Sequence, residues 1–348
     1  MGFDVAWIGV HHTAGSDRMS RSPQGRALAA AIEPIVGSVY FAEEAHDAFH
    51  ALGHGPTTGR ADDEWGRSHW GTVLMTDYHA YFCGRGALLG RPPGEVIAAA
   101  FGVFNPTIVV AAAAEGWTIA EPEAMWDARD RGTAAQLRRI LGDPPAGIDR
   151  VNDLLERAGS RLQLAGRPMY AGVVARGLPD DPVLRMWRLA ERVREFRGDA
   201  FVHAFVHHEF DGCEIQVLTE RLAGFPPKSY SAGRGWTDAE LDGADDRLTA
   251  RGLLDAGGPT AAGRAAREEV EETVDRYCRS IEESLGDAAV VELVGLLQPC
   301  GDALRAGGGY YPSSPQQQVL HPSVDEWLIA NGLHPFGASS DTIEVGVV

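Results

Sequence analysis

Arg234-Gly235-Trp236-Thr237-Asp238, running on through Arg251-Gly252-Leu253-Leu254-Asp255 to Gly257-Gly258-Pro259-Thr260, is the stretch that decides the fold. Thr237 is a natural N-cap whose hydroxyl can accept from a free amide of the first turn, so a helix is predicted from there to about Arg251. Gly257-Gly258-Pro259 predicts a tight turn of the kind that forms a small wing. Thr260 then caps a long helix from Ala261 to about Ser284. The order is helix, short wing, long helix.

Working outward, Phe225-Pro226-Pro227-Lys228-Ser229 reads as a linker, because two prolines forbid regular helix. Before it, helical spacing of apolar residues runs from Pro23 to about Gly53, with a restart near Glu43. Further helices are predicted at Asp77 to Gly86, Pro93 to Phe104, Pro106 to Glu115, Glu121 to Leu141 and Ile148 to Leu162. A last pair, Pro182 to Phe196 and Asp199 to Phe210, is divided at Arg197-Gly198. The expected fold is therefore mostly α: a helical body over 1–224, a winged-helix-like module over 225–302 and an extended C-terminal arm over 303–348. Val96 to Ala114 is apolar enough to invite a membrane reading, but Asn105-Pro106-Thr107 would break a spanning helix at its centre. A buried helix-turn-helix is expected there instead.

The 348-residue chain carries a formal charge of −18, which repels phosphate backbones and anionic lipid surfaces. Within Arg234 to Arg276 stand six arginines, no lysine and eleven acids. The winged-helix-like module thus looks too acidic for a conventional DNA reader, and neither nucleic acid nor membrane is expected as a partner. Lys228 is the sole lysine, an arginine bias that points to a GC-rich, actinobacterial type of source. Cys83, Cys213, Cys278 and Cys300 are scattered without a close pair, and no signal peptide opens the chain, so a reduced cytoplasm is expected.

Several landmarks carry a resemblance. Tyr40 to Ala45, Tyr81-Phe82 with Arg85 and Leu89-Gly90, Phe101 to Pro106, Arg197-Gly198-Asp199, Asp211 to Glu214, Arg234-Gly235-Trp236 and Arg247-Leu248 with Arg251-Gly252-Leu253 resemble an actinobacterial family of poorly characterised, helix-turn-helix-like proteins. The likeness spans roughly Ala30 to Leu297. It implies a fold and no particular chemistry. Where such proteins resemble Arg-Gly-Asp-Gly-His, this chain has Arg197-Gly198-Asp199-Ala200-Phe201.

Six of the twelve histidines fall in two short windows. His46 and His50, like His203 and His207, are four apart, so each pair shares one helix face and could grip one ion. Two such pairs on facing helices would build a metal centre inside a bundle, with Glu43 in Glu-x-x-His spacing. His208 and Glu209 are the candidate ligating or proton-transferring groups, and Tyr81, Trp70 and Phe205 the candidate substrate pocket. Imidazole ligands without cysteine favour iron, then copper or zinc, with haem behind them. The first expectation is thus a metal-dependent oxidoreductase acting on a small-molecule substrate, which could pair as a homodimer. The alternatives are a winged-helix transcriptional regulator or ligand sensor, and a haem-binding or metal-free small-molecule-binding protein.

Overall fold

The structure, a computed structural model, describes residues 23–55, 58–59, 74–75, 77–310 and 323–336. Fourteen α-helices stand among them: α1 Pro23–Gly37, α2 Glu43–Ala51, α3 Tyr78–Gly86, α4 Gly94–Phe101, α5 Pro106–Ile119, α6 Pro122–Leu141, α7 Ile148–Gly159, α8 Pro168–Ala175, α9 Pro182–His207, α10 Gly212–Leu222, α11 Asp238–Ala250, α12 Ala261–Leu285, α13 Asp287–Ala306 and α14 Ser323–Ala330. Sheet among the described residues is limited to two antiparallel pairs, β1 Thr58–Gly59 with β2 Leu74–Met75 and β3 Leu254–Asp255 with β4 Gly258–Pro259. The protein is mostly α.

Helix starts follow the local chemistry. Asp181 caps α9 by accepting from the Leu184 amide, and Pro182 sits at the first helical position, where its missing N–H costs nothing. Asn105 caps α5 ahead of Pro106, so the apolar run that resembled a membrane span is two helices meeting at a turn. Among the described residues no helix is long and apolar enough to cross a membrane.

Three readings change. Helix α9 runs unbroken through Arg197-Gly198, because Arg197 is held from outside by Glu271 at 2.8 Å and Asp275 at 3.1 Å, both on α12. Those ion pairs outweigh the roughly 1 kcal/mol that glycine costs inside a helix. Helices α8, α10 and α13 were not anticipated. The segment read as an extended arm carries α14, which buries Val324 and Leu328 where it packs on α1.

Helix α9 is central: α1, α6, α7, α8 and α12 all pack on it. Trp187 and Met186 lie buried on it together with Arg188, Glu191 and Glu195. Helices α10 and α11 pair with one another, and α10 also packs on α12 and on β4. The hairpin sits tight against the start of α12, since a Cβ on Gly263 would come within 2.0 Å of the Leu253 carbonyl oxygen.

The connection between α10 and α11 is long, and one carboxylate shapes it. Glu220, 1% exposed, accepts from the amides of Lys228, Tyr230 and Ser231, each at 2.7 Å, and from the Ser231 hydroxyl at 2.8 Å. The segment read as a linker is thereby folded back over the end of α10. Glu220→Ala would leave three amides and a hydroxyl without this acceptor and is expected to lower stability by about 3 kcal/mol or more. Glu220→Gln, which keeps an acceptor oxygen, should cost less. Urea unfolding of the two variants measures both, and equal losses would refute this role for the carboxylate.

Candidate functional site

Helices α10 and α11 each open with a capping box. Asp211 accepts from the Cys213 and Glu214 amides while Glu214 accepts from the Asp211 amide. Thr237 and Glu240 repeat the arrangement at α11, and Glu240 also accepts from Asn105 Nδ2 at 2.9 Å. Asn105 is 4% exposed and its amide donates to the Arg234 carbonyl at 2.9 Å, so one residue ties the α4–α5 turn to the start of α11. Trp236 Nε1 donates to the Val103 carbonyl in the same place.

The outer face of α11 is acidic, with Asp238, Glu240, Asp242, Asp245 and Asp246 against the lone Arg247. Several charges are already engaged. Asp245 meets Arg221 at 2.5 Å and Asp242 meets Lys228 at 2.7 Å, while Arg247 reaches Glu214 and Asp211, both at 2.8 Å.

Beneath α10 lies a cavity of about 280 Å³, walled by α1, α4, α9, α10 and α12. Its lining includes six arginines: Arg26, Arg85, Arg194, Arg197, Arg234 and Arg267. Four glutamates, Glu33, Glu195, Glu271 and Glu282, face them. Arg85 pairs with Glu195 at 2.7 Å, Arg194 bridges Glu33 and Glu195, and Arg26 binds Asp275 at 2.7 Å and Glu268 at 2.9 Å. Phe101, Phe104 and Phe201 form an apolar wall, with the Arg85 guanidinium 4.3 Å from the Phe101 ring centre.

Burial raises each of these acids, but their net shifts run in opposite directions. Desolvation would raise Glu195, but Arg85 and Arg194 beside it hold it down at about 2. Glu271 is likewise held at about 2 by Arg267, Arg197 and Arg26 against its own burial. Asp199 differs: burial dominates over the amides of Tyr170 and Met169 that it accepts from, and pushes it up to about 6. Cys278, also on the cavity wall, is pushed up by burial to about 11, which leaves it a thiol and a poor nucleophile.

The predicted metal centre does not assemble. His46 is buried, lowered by desolvation, and donates Nε2–H to the Tyr40 carbonyl at 2.9 Å. His50, four residues on, is exposed and bonds the His54 carbonyl. His203 and His207 are exposed near the end of α9, a helix on which α2 is not packed. His208 meets the Thr273 hydroxyl at 2.9 Å, and Glu209 is exposed at φ 60°, its carbonyl accepting from Arg251. Among the described residues no three His, Cys, Asp or Glu side chains gather as a metal site requires. Phe205 is core, Tyr81 lines the cavity, and Trp70 lies outside the described residues.

The model of the helix-turn-helix family matches residues 25–311. The chain belongs to the helix-turn-helix family. Comparison with curated proteins and with solved structures returns no match. Membership in this family and the dispersal of the histidines overturn the expectation of a metal-dependent oxidoreductase working on a small-molecule substrate. The same membership points to nucleic acid, correcting its exclusion on charge.

Sequence reasoning missed the cavity arginines as functional candidates. A signal was present: Tyr81, Arg85, Phe101, Arg197 and Arg234, quoted above for the family resemblance, all line this one cavity. The acid limb of the stability curve tests the electrostatics. Carboxyls held below their unfolded value contribute stability that is full above about pH 4.5 and is lost as pH falls toward about 2. Glu195→Gln and Glu271→Gln should therefore destabilise at neutral pH and flatten that fall. Asp199, raised to about 6, contributes the reverse slope, favouring the folded state as pH drops from about 6 toward 4. Chemical denaturation across pH reads both terms, and an unchanged acid limb in the glutamine variants would contradict the assignment.

Proposed function

We propose that this protein is a winged-helix transcriptional regulator of the actinobacterial type, responsive to a ligand. The observation that carries the reading is the succession of α10, α11, the β3–β4 hairpin and α12. A capped first helix, a capped second helix, a two-stranded wing and a long support helix follow in the order that winged-helix readers use. Helix α11 takes the recognition role and the hairpin from Leu254 to Pro259 the wing. Family membership supports the reading, and the near-exclusive use of arginine supports the source.

The acidity of α11 sets the terms of binding. Affinity for duplex DNA is expected to be modest, because like charge on the reading face subtracts from whatever phosphate contacts the module makes. A second reading rests on the same five carboxylates: the face docks a cationic protein surface.

One pair of variants separates the two. Asp242 and Asp246 are exposed on α11. Replacing both by Asn removes two like charges and should tighten duplex binding about tenfold at low salt. Fluorescence anisotropy with labelled duplexes, including the DNA flanking the gene, is the measurement. No retention of any duplex at low salt, for wild type and variant alike, would remove the DNA reading.

A further inference from the structure

The polar end of the cavity lies inside the helix-turn-helix segment itself. Arg267 on α12 and Gln216 on α10 are 6% and 5% exposed. Arg267 gives Nε to the Thr219 hydroxyl at 3.2 Å and Nη2 to Glu271 at 2.8 Å, yet its Nη1 has no hydrogen-bond partner. Gln216 Oε1 has none either. Thr219 stands one helical turn after Gln216, and Gln216, Thr219 and Arg267 all line the same space. Buried polar groups are nearly always satisfied, and two exceptions facing one cavity mark a place where an occupant completes the bonding.

The walls describe that occupant. Phe101, Phe104 and Phe201 offer aromatic faces, and Arg267 itself lies 5.3 Å from the centre of the Phe201 ring. Arg267 brings a positive group whose Nη1 is unpartnered, so an occupant that offers it a negative acceptor is favoured over a positive one. A volume of about 280 Å³ lies at the lower end for small-molecule sites and suits a single ring with short substituents.

We propose that the cavity binds a compact hydroxylated aromatic carboxylate. Its carboxylate accepts from Arg267 Nη1, its hydroxyl donates to Gln216 Oε1, and its ring packs on the phenylalanines. The regulatory purpose of this binding rests on the reading given under Proposed function. The coupling is short, because α10 holds Gln216 on the ligand side while Arg221 and Glu214 on the same helix grip Asp245 and Arg247 of α11.

Isothermal titration of the full-length protein, without DNA, is the test. The probes are benzoate, its three monohydroxy derivatives and benzyl alcohol as the uncharged control. Saturable binding of at least one hydroxybenzoate, stronger than benzoate and far stronger than benzyl alcohol, is expected. Gln216→Leu removes none of the hydrogen bonds described above. It should weaken the hydroxybenzoate about tenfold while leaving benzoate unchanged. Arg267→Lys, which keeps a charge beside Glu271, should weaken every acid. No binding of any acid, or acids and benzyl alcohol binding alike, overturns the proposal and leaves the two polar groups to water. Acid binding by a protein that retains no duplex upholds the cavity and sinks the regulator reading, and duplex retention without acid binding does the reverse.

Discussion

The long helix α9 buries charge, and the rest of the body is arranged around that constraint. Arg188, Glu191 and Glu195 are each no more than 2% exposed on it. An ion of either sign removed from water without a partner costs several kcal/mol, so each must be met by a counter-charge on another helix. Helix α6 supplies Arg129 to Glu191 and Asp130 to Arg188, α3 supplies Arg85 to Glu195, and α1 supplies Glu33 to Arg194. Helix α12 completes the set with Glu271 and Asp275 around Arg197. Apolar packing could be satisfied by several helix arrangements, whereas these pairings admit few. They fix how α1, α3, α6 and α12 are turned toward α9.

The cavity follows from that arrangement. Guanidinium groups are planar and long, and arginines that meet carboxylates from α1, α9 and α12 do not fill space as leucines would. A gap remains between α1, α9 and α12, with α10 also on its wall. The cavity is lined by the same ions that hold the helices in register, so a ligand entering it would compete with structural pairs, not with bulk water alone. Only Arg267 among the lining arginines exposes a buried nitrogen with no bond of its own, which is why recognition is assigned there.

Much of the fold was legible in the sequence because caps and glycines act locally. Thr237, Thr260 and Gly257-Gly258-Pro259 marked the ends of α11, the hairpin and α12, and Asn105-Pro106 marked the turn before α5. The break expected at Arg197-Gly198 failed for a non-local reason: the residues that hold α9 straight there stand more than seventy positions away on α12. The histidine pairs failed in a similar way. Spacing of four places side chains on one helix face but says nothing about whether that face meets another. His46 is turned inward to the Tyr40 carbonyl while His50, at the next turn, is exposed. The arginines were passed over because charged residues on a helix are ordinarily solvated, and their burial is visible only once α9 is surrounded.

The acidic face of α11 and the basic lining of the cavity are two consequences of one allocation of charge. Arginines are drawn inward to the ion pairs of the body, and Arg247 and Arg251, which would otherwise present positive charge from α11, are turned back to Asp211, Glu214 and the Glu209 carbonyl at the mouth of α10. Those contacts cap α10 and pin α11 to it at once. An anion bound at Arg267 would draw on the same helix from below, through Thr219 and Gln216, while Glu214 holds it from above. Any shift of α10 along its axis must therefore change the grip on Arg247 and Arg251, and with it the number of positive groups that α11 can turn toward a phosphate. On the proposal made above, occupancy of the cavity and the charge that α11 presents would be linked through a single eleven-residue helix.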